Sequence, residues 1–365
     1  MTRLRDLGLA IGEFPTGPHN AITDIPGILV GHKTIIHDKP RVARTGVTII
    51  MPRDGNIWRN PAFAAYHSFN GCGEMTGLLW VDESGQLSHP IGLTSTHHVG
   101  TVHEALVAYA QEYGHTEASS LPVVAETWDG WLNDMDGFHL KAEHVYETLA
   151  NLAGGPVAEG SVGGGTGMIC HEFKGGIGTS SRVVETKSGT FTVGALVQAN
   201  HGSREDFRVS GVPVGRLVDP DHTPVPWDEP VESSSIIIVV GTDAPLLPFQ
   251  CRRLAKRATI GFARAGGMGH NGSGDIFLAF ATGNELPEVS GLRSLRMVPN
   301  VHLNPLFVAA AEAVEESIVN AVVAAETMTG WQGRTAHGLL RAELVEIMSR
   351  YPTIEGNVPR APHHQ

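Results

Sequence analysis

The chain has 365 residues, 44 of them glycine, with 18% charged side chains and a formal net charge of −12. That length can bury a sizeable core in one large α/β body, and the acidic balance leaves no electrostatic footprint for nucleic acid or an anionic membrane surface. The three cysteines, Cys72, Cys170 and Cys251, are odd in number and far apart, so neither a disulfide framework nor a cysteine-based zinc site is indicated and buried free thiols are expected.

The opening stretch, MTRLRDLGLAIGEFPTG, has no apolar run of useful length and no leader-cleavage signal, and no later stretch is long enough to span a bilayer. A cytoplasmic protein is expected. Residues 46–51 (GVTIIM) read as the first clear strand, and 101–113 as a helix closed by Gly114. Residues 121–126 (LPVVAE) read as a strand and 139–152 as a helix ended by Gly154, Gly155 and Pro156. Strands follow at 190–199 (TFTVGALVQA) and 235–240 (SIIIVV), separated by a polar, proline-rich segment, 202–232, that should be an irregular surface excursion. Asp243 is expected to cap a helix with Pro245 in its first turn and Leu247, Cys251, Leu254 and Ala258 on its inner face. Residues 276–281 (IFLAFA) form another strand. Asn304 and Pro305 open the clearest helix, with Phe307, Ala311, Val314, Ile318 and Val322 as its buried stripe and Glu312, Glu315 and Glu316 outside it. Elements alternate throughout without a linker, so the fold class is a layered α/β.

Four places carry candidate chemistry. Glu232-Ser-Ser-Ser-Ile-Ile-Ile-Val-Val puts a hydroxyl at the start of a strand apolar on both faces, just after an exposed segment where a chain can be cut without dismantling the fold. GGMGHNGSGDIFLAFAT crowds Asn271, Ser273 and Asp275 into a glycine-rich turn, where a hydroxyl and a carboxylate two residues apart can orient a proton relay or simply close the turn. VGALVQANHG ends at Asn200, whose amide could donate to an oxyanion. In GSVGGGTGM, 160–168, the glycines allow close backbone approach and free N–H groups, which reads as wall or oxyanion support; the Lys-Ser/Thr ending of a phosphate loop is missing.

From Asn20-Ala-Ile-Thr-Asp-Ile-Pro-Gly to the Asn304 helix the chain resembles the DmpA-type aminopeptidases, which include the L-aminopeptidase/D-amidase/esterases and the β-peptidyl aminopeptidases. The blocks that carry the resemblance are FNGCGEMTG, LTSTHHVG, VVAETWDGWLND, VGGGTGM, VQANHG, SSIIIVVGTDAPLLP and GSGDIFLAF. It implies a four-layer αββα sandwich, similar in outline to the Ntn hydrolases, in a single self-processing domain spanning 1–365. Counting back from Thr242-Asp243-Ala244-Pro245 implies a cut between Ser234 and Ser235, giving a large subunit, 1–234, and a small one, 235–365. Ser235 is then the nucleophile, Ser273 and Asp275 its relay pair, and Asn200 an oxyanion donor. Glu126 is the candidate for holding the substrate's ammonium; Trp128, Gly164 and Gly165 complete the candidate binding residues. Ser234 stands where the family often has glycine, and Trp128 where some members carry tyrosine. The resemblance also implies a homotetramer acting on a small peptide, amide or ester, with no metal and no organic cofactor.

Three other readings compete. Gly272-Ser-Gly-Asp275 superficially matches the anion-hole motif of ribokinase-like kinases, with Asp275 as base. A binding protein of the same fold could have lost self-processing. Acyl transfer to an acceptor other than water, as in the ornithine acetyltransferases of related fold, goes with a threonine nucleophile instead of serine.

Overall fold

The computed structural model describes residues 1–114, 121–227, 234–287 and 291–351. The chain begins its sheets with an antiparallel pair, β1 (Leu29–His37) and β2 (Ala43–Met51). It continues through β3 (Ala62–Gly71), α1 (Leu78–Ser84), β4 (Gln86–Leu87), β5 (Ile91–Ser95), α2 (Val99–Tyr109), β6 (Val123–Thr127) and α3 (Ala142–Ala150). A tight hairpin, β7 (Ile169–Cys170) with β8 (Phe173–Lys174), precedes the long hairpin of β9 (Gly176–Thr186) and β10 (Gly189–Asn200). Then come β11 (Ser234–Thr242), α4 (Pro248–Arg264), β12 (Ser273–Ala281) and α5 (Asn304–Val323).

Four strands make one sheet in the order β1-β2-β5-β6, and six make a second in the order β4-β3-β12-β11-β10-β9. Successive side chains of a strand face opposite sides, and in β11 both sides are core. Ile236, Ile238 and Val240 pack with Leu254, Ala258 and Val314 of α4 and α5, whereas Ile237 and Val239 pack with Ile50, Leu93 and Ala125 of the other sheet. This is why SIIIVV is an unbroken apolar run and not an alternating one. Val102, Leu106, Val145 and Leu149 of α2 and α3 cover the outer face of the four-stranded sheet against Val47 and Ile49. The layers are helix, sheet, sheet, helix, the αββα sandwich expected.

Several expectations need correction. Asp243 caps no helix: α4 starts at Pro248 behind Leu247, and Asp243 Oδ1 instead accepts the Thr192 amide at 2.7 Å, tying the end of β11 to β10. Glu312, Glu315 and Glu316 are 3%, 4% and 0% exposed, because α5 is covered on the face that its pattern leaves open. The N-terminal arm crosses it: Arg5 Nε binds Glu316 Oε1 at 2.8 Å, and the amides of Glu13 and Phe14 donate to Glu312 at 3.0 and 3.2 Å. Arg182 of β9, fully buried, binds both Glu312 and Glu316, at 3.1 and 2.7 Å. Cys170 and Cys251 are buried free thiols as expected, but Cys72 is exposed. Of the excursion at 202–232, residues up to 227 form short 3₁₀ turns and no strand longer than an isolated bridge; 228–232 lie outside the described residues. Among the described residues no helix is long and apolar enough to cross a membrane.

Candidate active site at the head of β11

β11 lies between β10, antiparallel to it, and β12, parallel to it, so its first two residues have neighbours on both sides. Ser235 pairs across with Asn200 and with Gly274; Ser234 pairs with Ser273. The alternation that sends Ile237 toward the other sheet puts Ser235 on that same inner face, and Gln198 and Asn200 share it through Leu196. Ser234, Ser273 and Asp275 share the opposite, helix-side face with Ile236 and Phe277. The four predicted catalytic residues thus meet at one strand end, but from two sides of the sheet.

On the inner side, the Ser235 hydroxyl donates to its own preceding carbonyl, Ser234 O, at 2.6 Å and accepts the Gly274 amide at 3.2 Å. Gly274 has to lack a side chain, since a Cβ there would stand 2.5 Å from Cys72 O. Asn200 is 5% exposed, and its Oδ1 accepts the Ile169 amide at 2.8 Å. With the carbonyl end of the amide occupied, Nδ2 is the end left to donate. The segment before Ile169 is itself held by the buried Lys174 ammonium, which donates to Met168 O and Gly175 O at 2.7 and 2.8 Å. Burial pulls the Lys174 pKa down to about 7.

On the helix side, Ser234 Oγ donates to Ser273 Oγ at 3.1 Å, and Ser273 Oγ donates to Asp275 Oδ1 at 2.6 Å. Asp275 is fully buried and its Oδ2 has no hydrogen-bond partner among the described residues. Burial pushes its pKa up to about 6, against the opposing effect of the Ser273 bond. The relay pair is therefore bonded to the Ser234 hydroxyl, whereas the Ser235 hydroxyl bonds elsewhere, to Ser234 O and the Gly274 amide.

Glu126, at the end of β6, is 5% exposed. Its oxygens accept from the Glu74 amide, at 3.1 Å, and from Thr96 Oγ1. Burial raises its pKa, the two hydrogen bonds opposing. No lysine or arginine pairs with it among the described residues. It is close to the nucleophile through two glycines: a Cβ on Gly73 would be 3.3 Å from Glu126 Oε1 and 3.1 Å from the Cα of Gly274. Trp128, half-buried, folds its ring over Gly130, where a Cβ would meet ring atoms at 2.6 Å.

The expectation of free amides at Gly164 and Gly165 is not met. Gly164 N donates to Thr48 Oγ1 at 3.1 Å and Gly165 N to Val162 O at 2.9 Å. Both are spacers between the sheets: a Cβ on Gly164 would lie 2.5 Å from Leu93 O and one on Gly165 2.4 Å from Ile177 N. Sequence reasoning also missed the Gly274 and Ile169 amides and Lys174. The two amides are backbone groups with no residue signature, and the register of β11 against its neighbours is what reveals them.

The peptidase family S58 pattern matches residues 20–336. The chain belongs to this family. It is similar to the β-peptidyl aminopeptidase BapA of Sphingosinicella microcystinivorans, 45% identical over 367 residues that cover 96% of this chain and 92% of the relative. A solved β-aminopeptidase of a Burkholderia species is 51% identical, with a TM-score of 0.90 over 96% of this chain and 99% of that one. The L-aminopeptidase D-Ala-esterase/amidase of Ochrobactrum anthropi, described as a prototype for the serine aminopeptidases and a variant of the Ntn-hydrolase fold, is 43% identical. Its TM-score is 0.88 over 96% of this chain and 99% of that one. The S58 chain is accordingly a serine aminopeptidase with the Ntn-hydrolase fold. The kinase reading falls away: Asp275 lies within β12, buried and bonded to Ser273, and not at an open anion site.

Proposed function

We propose that this S58 peptidase cuts itself between Ser234 and Ser235 and then uses the new N-terminal Ser235 as its nucleophile. The observation that carries this reading is the Ser235 hydroxyl resting 2.6 Å from Ser234 O, on the carbonyl that it has to attack. In the cut, Oγ bonds the Ser234 carbonyl carbon, the C–N bond breaks, and the nitrogen takes the hydroxyl proton; water then hydrolyses the ester. The freed α-amine, with an unperturbed pKa of about 7.7–8.0, serves as base for the hydroxyl on the same residue. Ser273, released from Ser234, holds that amine, with Asp275 behind it.

In turnover, Ser235 Oγ attacks the substrate carbonyl, Asn200 Nδ2 donates to the developing oxyanion, and the α-amine returns the proton to the leaving amine. Water releases the acyl group. Glu126 takes the substrate's free ammonium, which is the cation that its buried carboxylate lacks. Short peptides, amino-acid amides and esters are the proposed substrates. The names of the relatives at 45% and 51% identity favour β-amino acyl groups among them. The homotetramer is supported by the family resemblance alone.

The test is a denaturing gel of the purified protein with intact mass and N-terminal sequencing. Fragments of roughly 25 and 14 kDa by residue count, the smaller beginning Ser-Ile-Ile-Ile, are expected, together with a Ser235→Ala chain that stays whole. A wild-type chain that stays whole and inert toward aminoacyl amides would overturn the reading in favour of a binding protein.

A further inference from the structure

Directly behind the oxyanion donor lies a cluster that the reaction does not use. Cys170 ends β7, His171 follows it in the hairpin turn, and His201 follows Asn200; all three are buried, at 0%, 0% and 2% exposure. One ligand atom from each lies within 4.8 Å of the others. Cys170 Sγ and His201 Nδ1 are 3.8 Å apart. For a tetrahedral Zn²⁺ with its usual bond lengths, a sulfur and a nitrogen ligand stand about 3.6 Å apart.

The hydrogen bonding leaves one lone pair without a partner. His171 Nδ1 lies 3.1 Å from Ser203 O, which can only accept, so Nδ1 carries the proton and Nε2 presents a bare lone pair. That Nε2 has no partner; in His201 it is Nδ1 that faces the thiol, so its Nε2 is the protonated nitrogen of the ring. A carbonyl on one ring nitrogen, fixing the tautomer and aiming the other, is the outer-shell arrangement typical of a metal-bound histidine. The backbone adds an independent sign. His171 and Glu172 both take left-handed conformations, φ 51° and 61°, in a turn where glycine or asparagine would cost less. Gly202 is also cut away for the ring: a Cβ there would be 2.3 Å from His171 Nδ1.

We infer that Cys170, His171 and His201 form a binding site for a borderline-soft divalent cation of the Zn²⁺ class, held by one thiolate and two neutral imidazoles, with one water carried in as the fourth ligand. The thiol gives its proton to solvent as the metal binds. One thiolate with two imidazoles suits Zn²⁺ and Co²⁺ and disfavours Mg²⁺ and Ca²⁺, which take oxygen ligands. No motif spacing announces the site because His171 and His201 are 30 positions apart, and the packing of β7 beside β10, with the His171 amide donating to His201 O at 2.6 Å, brings them together. Cys170 and His201 also flank the two residues of the Ile169–Asn200 bond, so a bound cation clamps the mount of the oxyanion donor.

The experiment uses the full-length Ser235→Ala, Cys72→Ser chain, so that its outcome is independent of self-cleavage and of the exposed thiol. Co²⁺ is titrated in and the near-ultraviolet thiolate-to-cobalt charge-transfer band recorded. A band saturating at one Co²⁺ per chain, displaced by Zn²⁺ and lost in Cys170→Ser, is expected. His201→Phe, which keeps an aromatic ring against Phe262, should abolish saturable binding. At a hundredfold excess of Zn²⁺ over its Kd, Tm should rise by roughly 3–6 °C, with no rise for Mg²⁺. No band in a folded chain, or a band that survives Cys170→Ser, would overturn the site.

Discussion

Replacing Asp275 by asparagine separates the geometry of the relay from its charge. The asparagine side chain keeps an oxygen for Ser273 Oγ to donate to but can no longer accept a proton. In the unfolded chain the carboxyl titrates near 3.8, and in the fold near 6, because burial disfavours its ionised form. The folded state therefore holds this proton more tightly. Its stabilising contribution is complete below pH 3.8, shrinks as pH rises through 6, and is constant above that. The difference corresponds to roughly 3 kcal/mol, at 1.36 kcal/mol for each pH unit. In a Ser235→Ala background, which stays uncut, Asp275→Asn should raise the urea-unfolding free energy at pH 8 by about 1–3 kcal/mol and leave it unchanged or lower at pH 4. The new amide NH₂, itself in need of a partner, accounts for the shortfall from the full figure. With Ser235 intact, the same variant should cut itself on the order of 10²-fold more slowly or worse, without the rise in rate through pH 6 expected of the parent. A variant that processes at the parental rate with the parental pH profile, or gains equally at pH 4 and pH 8, would refute the reasoning.

Other substitutions test separate parts. Asn200→Ala removes the proposed oxyanion donor, and in processed enzyme kcat for an aminoacyl p-nitroanilide should fall by about 10²–10³-fold with KM little moved; a change confined to KM would assign Asn200 to binding instead. Glu126→Gln should raise KM for free-amine substrates by roughly 10–100-fold, the worth of a charge-assisted hydrogen bond, and a proportionate loss in kcat alone would remove Glu126 from ammonium recognition. Arg182→Met removes the guanidinium shared by Glu312 and Glu316, leaving Glu312 to the Glu13 and Phe14 amides, and urea unfolding should show about 3 kcal/mol lost; a neutral result would mean that those amides, Arg5 and the Asn20 amide, which donates to Glu316 Oε1 at 2.6 Å, hold the two carboxylates alone.

The layered fold and the positions of its principal strands were legible because both faces of the six-stranded sheet are core and its strands read as continuous apolar runs. The contact of Ser273 with Asp275 was legible too, since the two are two apart on one strand and must share a face. What composition could not give is the side on which each group stands: that Ser235 shares its face with Asn200 while Ser273 faces Ser234 depends on pairing between distant segments. Glu312, Glu315 and Glu316 were misread for a related reason. A 3.6-residue stripe identifies one buried face, and nothing local announces that the N-terminal arm and Arg182 return to cover the other. Gly163, Gly164 and Gly165 look like an anion cradle in one dimension and prove to be the thin point where two sheets touch.

The strand order β4-β3-β12-β11-β10-β9 has a consequence for the life of the molecule once it is cut. A break before Ser235 leaves β11 and β12 as a two-stranded wedge belonging to one fragment, inserted between β3 and β10 of the other. Neither fragment owns the whole six-stranded sheet, so they cannot part without tearing ladders on both flanks of the wedge and opening the cores on its two faces. The uncut chain brings its wedge home by a tether; two separate fragments have to find each other by collision, with bare strand edges exposed meanwhile. Processing at the proposed site would thus introduce hysteresis: the enzyme folds as one molecule, and after such a cut its recovery from unfolding would depend on concentration and compete with aggregation.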